Sequence, residues 1–430
     1  MNAKANNTKE KVRQLQRKLY RSAKENKVRR FHALYDKLWR EDVLVQAWKR
    51  VKKNRGSAGI DKVTLTEIEA YGVELFLKET ADLLKSGKYH PQAVRRTYID
   101  KKDGRKRPLG IPTVRDRVVQ TAVKLLVEPI FETDFEDFSY GFRPKRSQHA
   151  ALKAVRKHCN NKGWWLLDAD IKNYFDRIDH DKLMLLVEQR ISDRRILKLI
   201  RKWLKAGVME EGKLRQSLTG TPQGGVISPL LSNIYLGVLD KLWQKHYSHL
   251  GKMVRYADDF VVVCRTKKDV QHAYKAISLV LKKLELDLHP EKTRMVNLWD
   301  GKEGFDFLGM HHLRMKQQSR HGHEYTVTVQ RPSDKAMRRM HERVREELKP
   351  RNCLYMKMSE LVKKLNPIIR GWRNYYKLPL SEPYLRKLDY HILIRFTIWY
   401  NKKHQISRRH SNKPLVNEKL RQLKLAKLIY

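Results

Sequence analysis

The chain has 430 residues, 93 of them Lys or Arg against 47 Asp or Glu, a formal net charge of +46, and 41% hydrophobic residues. That length holds two or three domains with a substantial core, which argues against a small basic protein with tails, and a charge of this size calls for a long polyanionic partner. Cys159, Cys264 and Cys353 form no Cys-x-x-Cys pair, and no apolar leader or membrane-length apolar run occurs, so a Cys-ligated zinc ribbon and a membrane partner are not expected and the location expected is cytoplasmic.

Residues 8–53 read as basic helices, with Val12, Leu15 and Leu19 on one stripe and Leu34, Leu38, Val45 and Trp48 on another. A glycine-containing loop follows at 54–61, then one helix over 65–84 that ends at Ser86-Gly87. Residues 94–111 read as two strands around a Lys-rich turn at 101–105. Helices are expected from Pro112 through Leu126 and from Ser147 to His158, and a buried strand over 164–171. Helical patterns cover 182–206. A Gly/Pro loop spans 219–229, and a helix covers 230–245. Residues 254–264, VRYADDFVVVC, read as a hairpin with Asp258 and Asp259 at its tip. An amphipathic helix over 269–284, strands over 305–329, basic helices over 332–401 and a short basic tail over 402–430 complete the chain.

Adjacent carboxylates on a tight turn can hold divalent cations, because hard ions prefer oxygen ligands. Asp170 ends the apolar strand 164–171, and a strand end beside a hairpin tip brings three carboxylates together. Asp168 and Asp176 are rivals. Asp168 shares a face with Asp170 but lies deeper, and Asp176 better suits the cap of a following helix.

The order of motifs resembles that of group II intron-encoded reverse transcriptase/maturases. The matching segments are NRGSAGID at 54–61, LGIPTVRDRVVQ at 109–120, SYGFRP at 139–144, DADIKNYFD at 168–176, GTPQGGVISPLLSNIYL at 220–236, RYADD at 255–259, HPEKT at 289–293, FLG at 307–309 and IIRGWRNYY at 368–376. The resemblance implies an α+β right-hand polymerase of fingers, palm and thumb with a mostly helical thumb/maturase region. Its expected segments are 1–82 (basic N-terminal extension), 83–312 (fingers and palm), 313–405 (thumb/maturase) and 406–430 (short basic tail, a reduced DNA-binding element). The activity implied is RNA-directed DNA synthesis together with intron RNA binding. Host defence, DNA repair or a mainly splicing role stand as alternatives.

By the same resemblance, Asp170, Asp258 and Asp259 match the catalytic, metal-binding triad for two Mg²⁺, with Mn²⁺ a possible substitute; Asp259 is ranked third. Phe175 matches the bulky residue beneath the sugar, Gln223 a contact to the incoming nucleotide, and Lys101 and Arg107 the triphosphate-holding residues, with Lys102 and Arg105 as competitors. Lys292 matches a lysine near the phosphates, Arg143 an arginine near the template or alternatively a cap of its own turn, and Leu308-Gly309 the primer grip. Arg370, Arg373 and Lys377 form a basic stripe beside Ile369, Trp372 and Tyr376, and residues 331–430 carry 26 basic against 8 acidic residues, which suits RNA phosphates. The partners implied are group II intron RNA, an RNA template with a DNA primer, target DNA and dNTPs. No HNH nuclease pattern follows the thumb. His311, His312, His321 and His323 read as residues of a solvent-facing hairpin rather than a metal site.

Overall fold

The computed structural model describes residues 2–100, 106–210, 213–215, 220, 224–318, 321–378, 380–407 and 412–429. Its first half runs α1 (Asn2–Glu25), α2 (Glu41–Lys53), α3 (Leu65–Tyr71), α4 (Val73–Lys85), β1 (Val94–Asp100), β2 (Lys106–Ile111), α5 (Val114–Phe131), α6 (Gln148–Asn160), β3 (Trp165–Asp170), α7 (His180–Glu188), α8 (Arg194–Lys205), β4 (Val208–Glu210) and β5 (Lys213–Arg215). The second half runs α9 (Ser228–Leu242), β6 (Gly251–Tyr256), β7 (Asp259–Cys264), α10 (Lys267–Lys283), β8 (Arg294–Asn297), β9 (Gly304–Phe307), β10 (Met310–Gln318), β11 (Glu324–Pro332), α11 (Asp334–Glu347), α12 (Pro350–Cys353), α13 (Met358–Tyr376), α14 (Glu382–Lys403) and α15 (Lys413–Gln422). Among the described residues no helix is long and apolar enough to cross a membrane.

Two compact units interleave along the chain. One comprises Met1–Ser147, Ala169–Phe260 and Gln271–Thr293, the other Gln148–Asp168, Val261–Val270 and Arg294–Tyr430. The division passes through β3 and β7.

The first unit is organised on α5, whose residues are apolar on nearly every side, the pattern of a fully buried helix. Val118, Val119, Ala122, Val123, Leu125 and Leu126 have no exposure to solvent. Thr113 caps it by accepting from the Asp116 amide at 3.0 Å. Both α1 and α2 lie against it, and Gln16 Nε2 donates to the Leu125 carbonyl at 3.0 Å. Val12 and Leu19 of α1 are therefore core, and only the polar side of the basic helix meets solvent. The single helix expected over 65–84 is two: Gly72 at φ 111 breaks it between α3 and α4. A sheet of order β2-β1-β4-β5 follows, with β1 and β2 an antiparallel hairpin. The helix-capping role expected of Asp176 belongs to Asp179, which accepts from the Lys182 amide at the start of α7.

In the second unit the first part of β3 pairs antiparallel with β8, Trp165 opposite Asn297 and Asp168 opposite Arg294. A three-stranded sheet, β11-β10-β9, carries α6, held by Arg156 to the Thr328 carbonyl and Gln330 to the Leu152 carbonyl. Helices α11 to α15 close on one core of Val344, Leu361, Leu365, Ile369, Leu388, Phe396 and Trp399. Val416, Leu420 and Leu428 belong to that core. The segment expected as a basic tail thus contributes a helix and three buried apolar side chains. Its apolar residues at 416 and 420 fall one helical turn apart, a signal short enough to be hidden among lysines.

Candidate active site

Asp258 and Asp259 stand where the expected hairpin turns. Ala257 takes a left-handed conformation (φ 60), which tightens the turn between β6 and β7 and leaves the two acids at its tip. β3 is the neighbour of β7. The Trp164 amide donates to the Cys264 carbonyl at 3.0 Å at the far end of this pair. Asp170 ends β3, and Asp258 and Asp259 stand at the start of its neighbour β7. All three aspartates are half-buried. The Asp170 carbonyl accepts from the His289 amide at 2.7 Å, and its carboxylate is ion-paired with the Lys292 ammonium, itself about half exposed. Lys292 therefore lies against the acid that the sequence placed in the triad.

The acidic tip is braced from behind by a residue the sequence reading passed over. Arg255 is fully buried. It forms a two-pronged pair with Asp240, its Nε donating to Oδ1 at 2.8 Å, and donates further to the Ala257 carbonyl and to Ser139 Oγ, each at 2.8 Å. Burial works against the guanidinium charge, but the Asp240 charge and hydrogen bonds outweigh it and raise the pKa above its ordinary value. The 138–141 turn packs on the same place. The Tyr140 amide donates to the Arg255 carbonyl at 2.8 Å, and Asn233 Nδ2 donates to the Gly141 carbonyl at 2.8 Å. A Cβ at position 141 would come within 2.3 Å of the Ala257 nitrogen, so only glycine fits. The signal for Arg255 was its place inside a strand: an arginine between apolar residues needs a buried carboxylate.

Arg143 has a structural role. It is buried, bonded through both Nε and Nη2 to Glu132, and donates to the carbonyls of Glu136 (2.6 Å) and Ser139 (2.7 Å). With its donors committed inside the fold, it clamps its own turn, the alternative the sequence left open.

Phe175 follows Asn173, which is left-handed at φ 48, in a short turn over Tyr174–Asp176. Tyr174 is buried and donates to the Ser232 carbonyl at 2.7 Å, while Phe175 is half-buried and meets Tyr174 edge-on at 5.2 Å. The Gly220 amide donates to the Ile178 carbonyl, and a Cβ there would come 2.8 Å from the Phe175 carbonyl. The glycine-rich loop thus starts against the Phe175 turn. Its other end is held by buried Gln120, which accepts from the Val226 amide at 2.8 Å. Gln223 and Lys101 lie outside the described residues, and Arg107 pairs with Ile99 in the β1–β2 ladder.

In the second unit Leu308 (φ 50) and Gly309 (φ 77) form the turn between β9 and β10. Tyr375 donates to the Leu308 carbonyl at 2.7 Å, and the Ser333 amide to the Gly309 carbonyl at 3.0 Å. On α13, Ile369 is buried and Trp372 stacks on Tyr376 at 4.2 Å, as the stripe required. Arg370 and Lys377 are exposed, whereas Arg373 donates to the Lys427 carbonyl at 3.1 Å. Asp168 pairs with Arg294 at 3.1 Å, the structural role allowed for it. His321 and His323 are exposed, but His312 is not solvent-facing: it is fully buried and stacked on Phe305 at 4.5 Å, and burial pushes its pKa down to about 3.

Among the described residues no three acidic, histidine or cysteine side chains converge tightly enough to form a ready metal cage. The donor chemistry nevertheless fits a hard divalent ion. Asp170 at the end of β3, Asp258 in the β6–β7 turn and Asp259 at the start of the neighbouring β7 offer carboxylate oxygens, and Asp170 already carries a cation in the Lys292 ammonium.

Two family models match the chain: "Reverse transcriptase (RNA-dependent DNA polymerase)" over residues 99–312 and "Group II intron, maturase-specific domain" over residues 337–414. It is 36% identical to Protein YkfC of Escherichia coli (strain K12) over 365 residues, 76% of this chain and 93% of that protein. It is 42% identical to the group II intron-encoded protein LtrA of Lactococcus lactis subsp. cremoris over 225 residues, 52% of this chain but only 37% of LtrA. Among solved structures, telomerase from Candida albicans in complex with a fragment of telomeric RNA aligns with 78% of this chain and 62% of its own at 13% identity and a TM-score of 0.41.

Proposed function

Since the chain belongs to the group II intron reverse transcriptase/maturase family, an α+β right-hand polymerase class that works with divalent metal ions, we propose that it copies RNA into DNA from a DNA primer, using dNTPs, and binds group II intron RNA to promote splicing and insertion into target DNA. The observation that carries the reading is Asp170 at the end of β3, ion-paired with Lys292, on the strand next to β7, whose leading turn carries Asp258 and Asp259.

Asp170, Asp258 and Asp259 would hold two Mg²⁺ ions, which stabilise charge on the attacking and leaving oxygens of an in-line displacement. Buried Arg255, fixed to the Ala257 carbonyl, keeps the tip rigid, so little reorganisation is required when nucleotide arrives. Lys292 would exchange its contact with Asp170 for the phosphates and supply a proton to the departing pyrophosphate. Phe175 would fill the space beneath C2′ and exclude a 2′-hydroxyl, while Lys101, Arg107 and Gln223 would hold the nucleotide. The Leu308-Gly309 turn would approach the primer, and Arg370, Arg373 and Lys377 the RNA. A cytoplasmic ribonucleoprotein suits cysteines that are all free and buried.

The test is primer extension on an RNA template with Mg²⁺. Asp258→Ala should lose synthesis by several orders of magnitude while retaining its affinity for primer–template. Equal extension by the two folded proteins would remove Asp258 from the site.

A further inference from the structure

Helix α8, RRILKLIRKWLK, contains no acid. At ~100° per residue, Arg194, Lys198, Arg201 and Lys205 fall within about 60° of one another around the helix. Ile196, Leu199, Ile200, Trp203 and Leu204 occupy the opposite side. In the folded chain those five apolar residues are buried and those four cations are exposed, with Lys202 half-buried beside them. The helix is held firmly. Asp193 caps it by accepting from the Arg195 and Ile196 amides, and its other oxygen accepts from the amides of Leu34 and Tyr35 at 2.9 and 2.8 Å. Trp203 Nε1 donates to Tyr89, which donates to Asp116. This fixes residues 89–91 alongside the helix. Between them runs a groove of about 520 Å³, lined by His90, Pro91, the cations of α8, Leu197 and one acid, Glu188.

Two basic residues of α8 already have partners: Arg201 pairs with Glu188 at 3.0 Å, and Arg195 lies 4.7 Å over the Tyr35 ring. Among the described residues no carboxylate pairs with Arg194, Lys198, Lys202 or Lys205. A protein free to neutralise such a row could have placed acids one turn away, and here it has not.

We infer that this face of α8 is a docking track for the phosphate backbone of a folded RNA, separate from the strand that enters the polymerase site. The row from Arg194 to Lys205 spans the 12 residues of α8, ~16 Å from end to end at ~1.5 Å per step, enough to lie along several consecutive phosphates. Its face has no large exposed apolar side chain to insert into a bilayer, which sets it apart from a membrane-surface helix. The choice of RNA over DNA rests on the proposed function. The existence of the track rests on α8 alone.

The test is a salt titration of binding to a folded hairpin RNA that has no extendable primer end, using the full chain and the variant Arg194→Gln/Lys198→Gln/Lys202→Gln/Lys205→Gln. Three of these positions are exposed and Lys202 is half-buried, and circular dichroism checks the fold. Removing four phosphate contacts should flatten the slope of log K against log salt by about 3, at roughly 0.7–0.9 per contact. Extension of a short primer–template should stay unchanged. An unchanged slope would overturn the track. So would a parallel loss of short-template extension, which would assign the cations to the polymerase site. Tighter binding of duplex DNA of equal length, lost in the same variant, would overturn the RNA assignment. Asp258→Ala should bind the hairpin like the parent, so failure of the polymerase reading and failure of this one are separable.

Discussion

Arg255 and Asp240 form a pair that is costly to disturb, because both side chains have no exposure and each offsets the other's desolvation. Asp240→Asn keeps the shape but leaves a guanidinium charge buried without its counter-ion. It should cost about 3–5 kcal/mol of stability in urea unfolding. Loss below ~1 kcal/mol would mean that water reaches the pair. Phe175 carries a different kind of consequence. Half-buried beside Tyr174, it can be shortened without opening the core. Phe175→Val should therefore leave unfolding nearly unchanged and raise ribonucleotide incorporation relative to dNTPs by at least about tenfold, which corresponds to ~1.4 kcal/mol. Retained discrimination would reduce Phe175 to an ordinary packing residue.

At the scale of elements, α15 is the instructive case. Its basic composition reads as tail, yet Val416, Leu420 and Leu428 are buried with Trp399 and Leu388. Each such side chain contributes roughly 1.5–3 kcal/mol on burial. Ending the chain after residue 412 should lower the stability of the second unit by several kcal/mol, seen as an earlier melting transition. A chain cut there that melts unchanged would show that the helix only rests on the surface. The β6–β7 hairpin and β3 were legible because alternation and a strand-ending acid announce them. The break at Gly72 and the cap at Asp179 were not, since a lone glycine and one of several nearby aspartates each permit more than one arrangement.

For the whole molecule, a net charge of +46 is a liability in isolation and an asset on a polyanion. Raising salt from ~0.01 to ~0.15 M shortens the Debye length from ~30 to ~8 Å. The free protein should then melt at a higher temperature while its RNA affinity falls. Thermal melts and filter binding in the same buffers check both signs. A melting temperature that drops with added salt would mean that attractive ion pairs, such as those of Arg190 and Asp134 or Arg294 and Asp168, outweigh the self-repulsion.

The sequence by itself determined the order of motifs, the family, the strand-borne aspartates, the basic character of the partner surfaces and the apolar stripe of α13, because each depends on local spacing or on composition. Only the tertiary structure decided which charges are spent inside the fold. Arg143 and Arg255 both sit in motifs of the family, and both are consumed by acceptors within the fold. Arg194, Lys198 and Lys205, unremarked in the sequence, are left facing solvent. Spacing along a chain records which residues share a face. Whether that face meets a carboxylate, a carbonyl or water is set by segments far away in the sequence, such as Asp240 and Ser139 around Arg255.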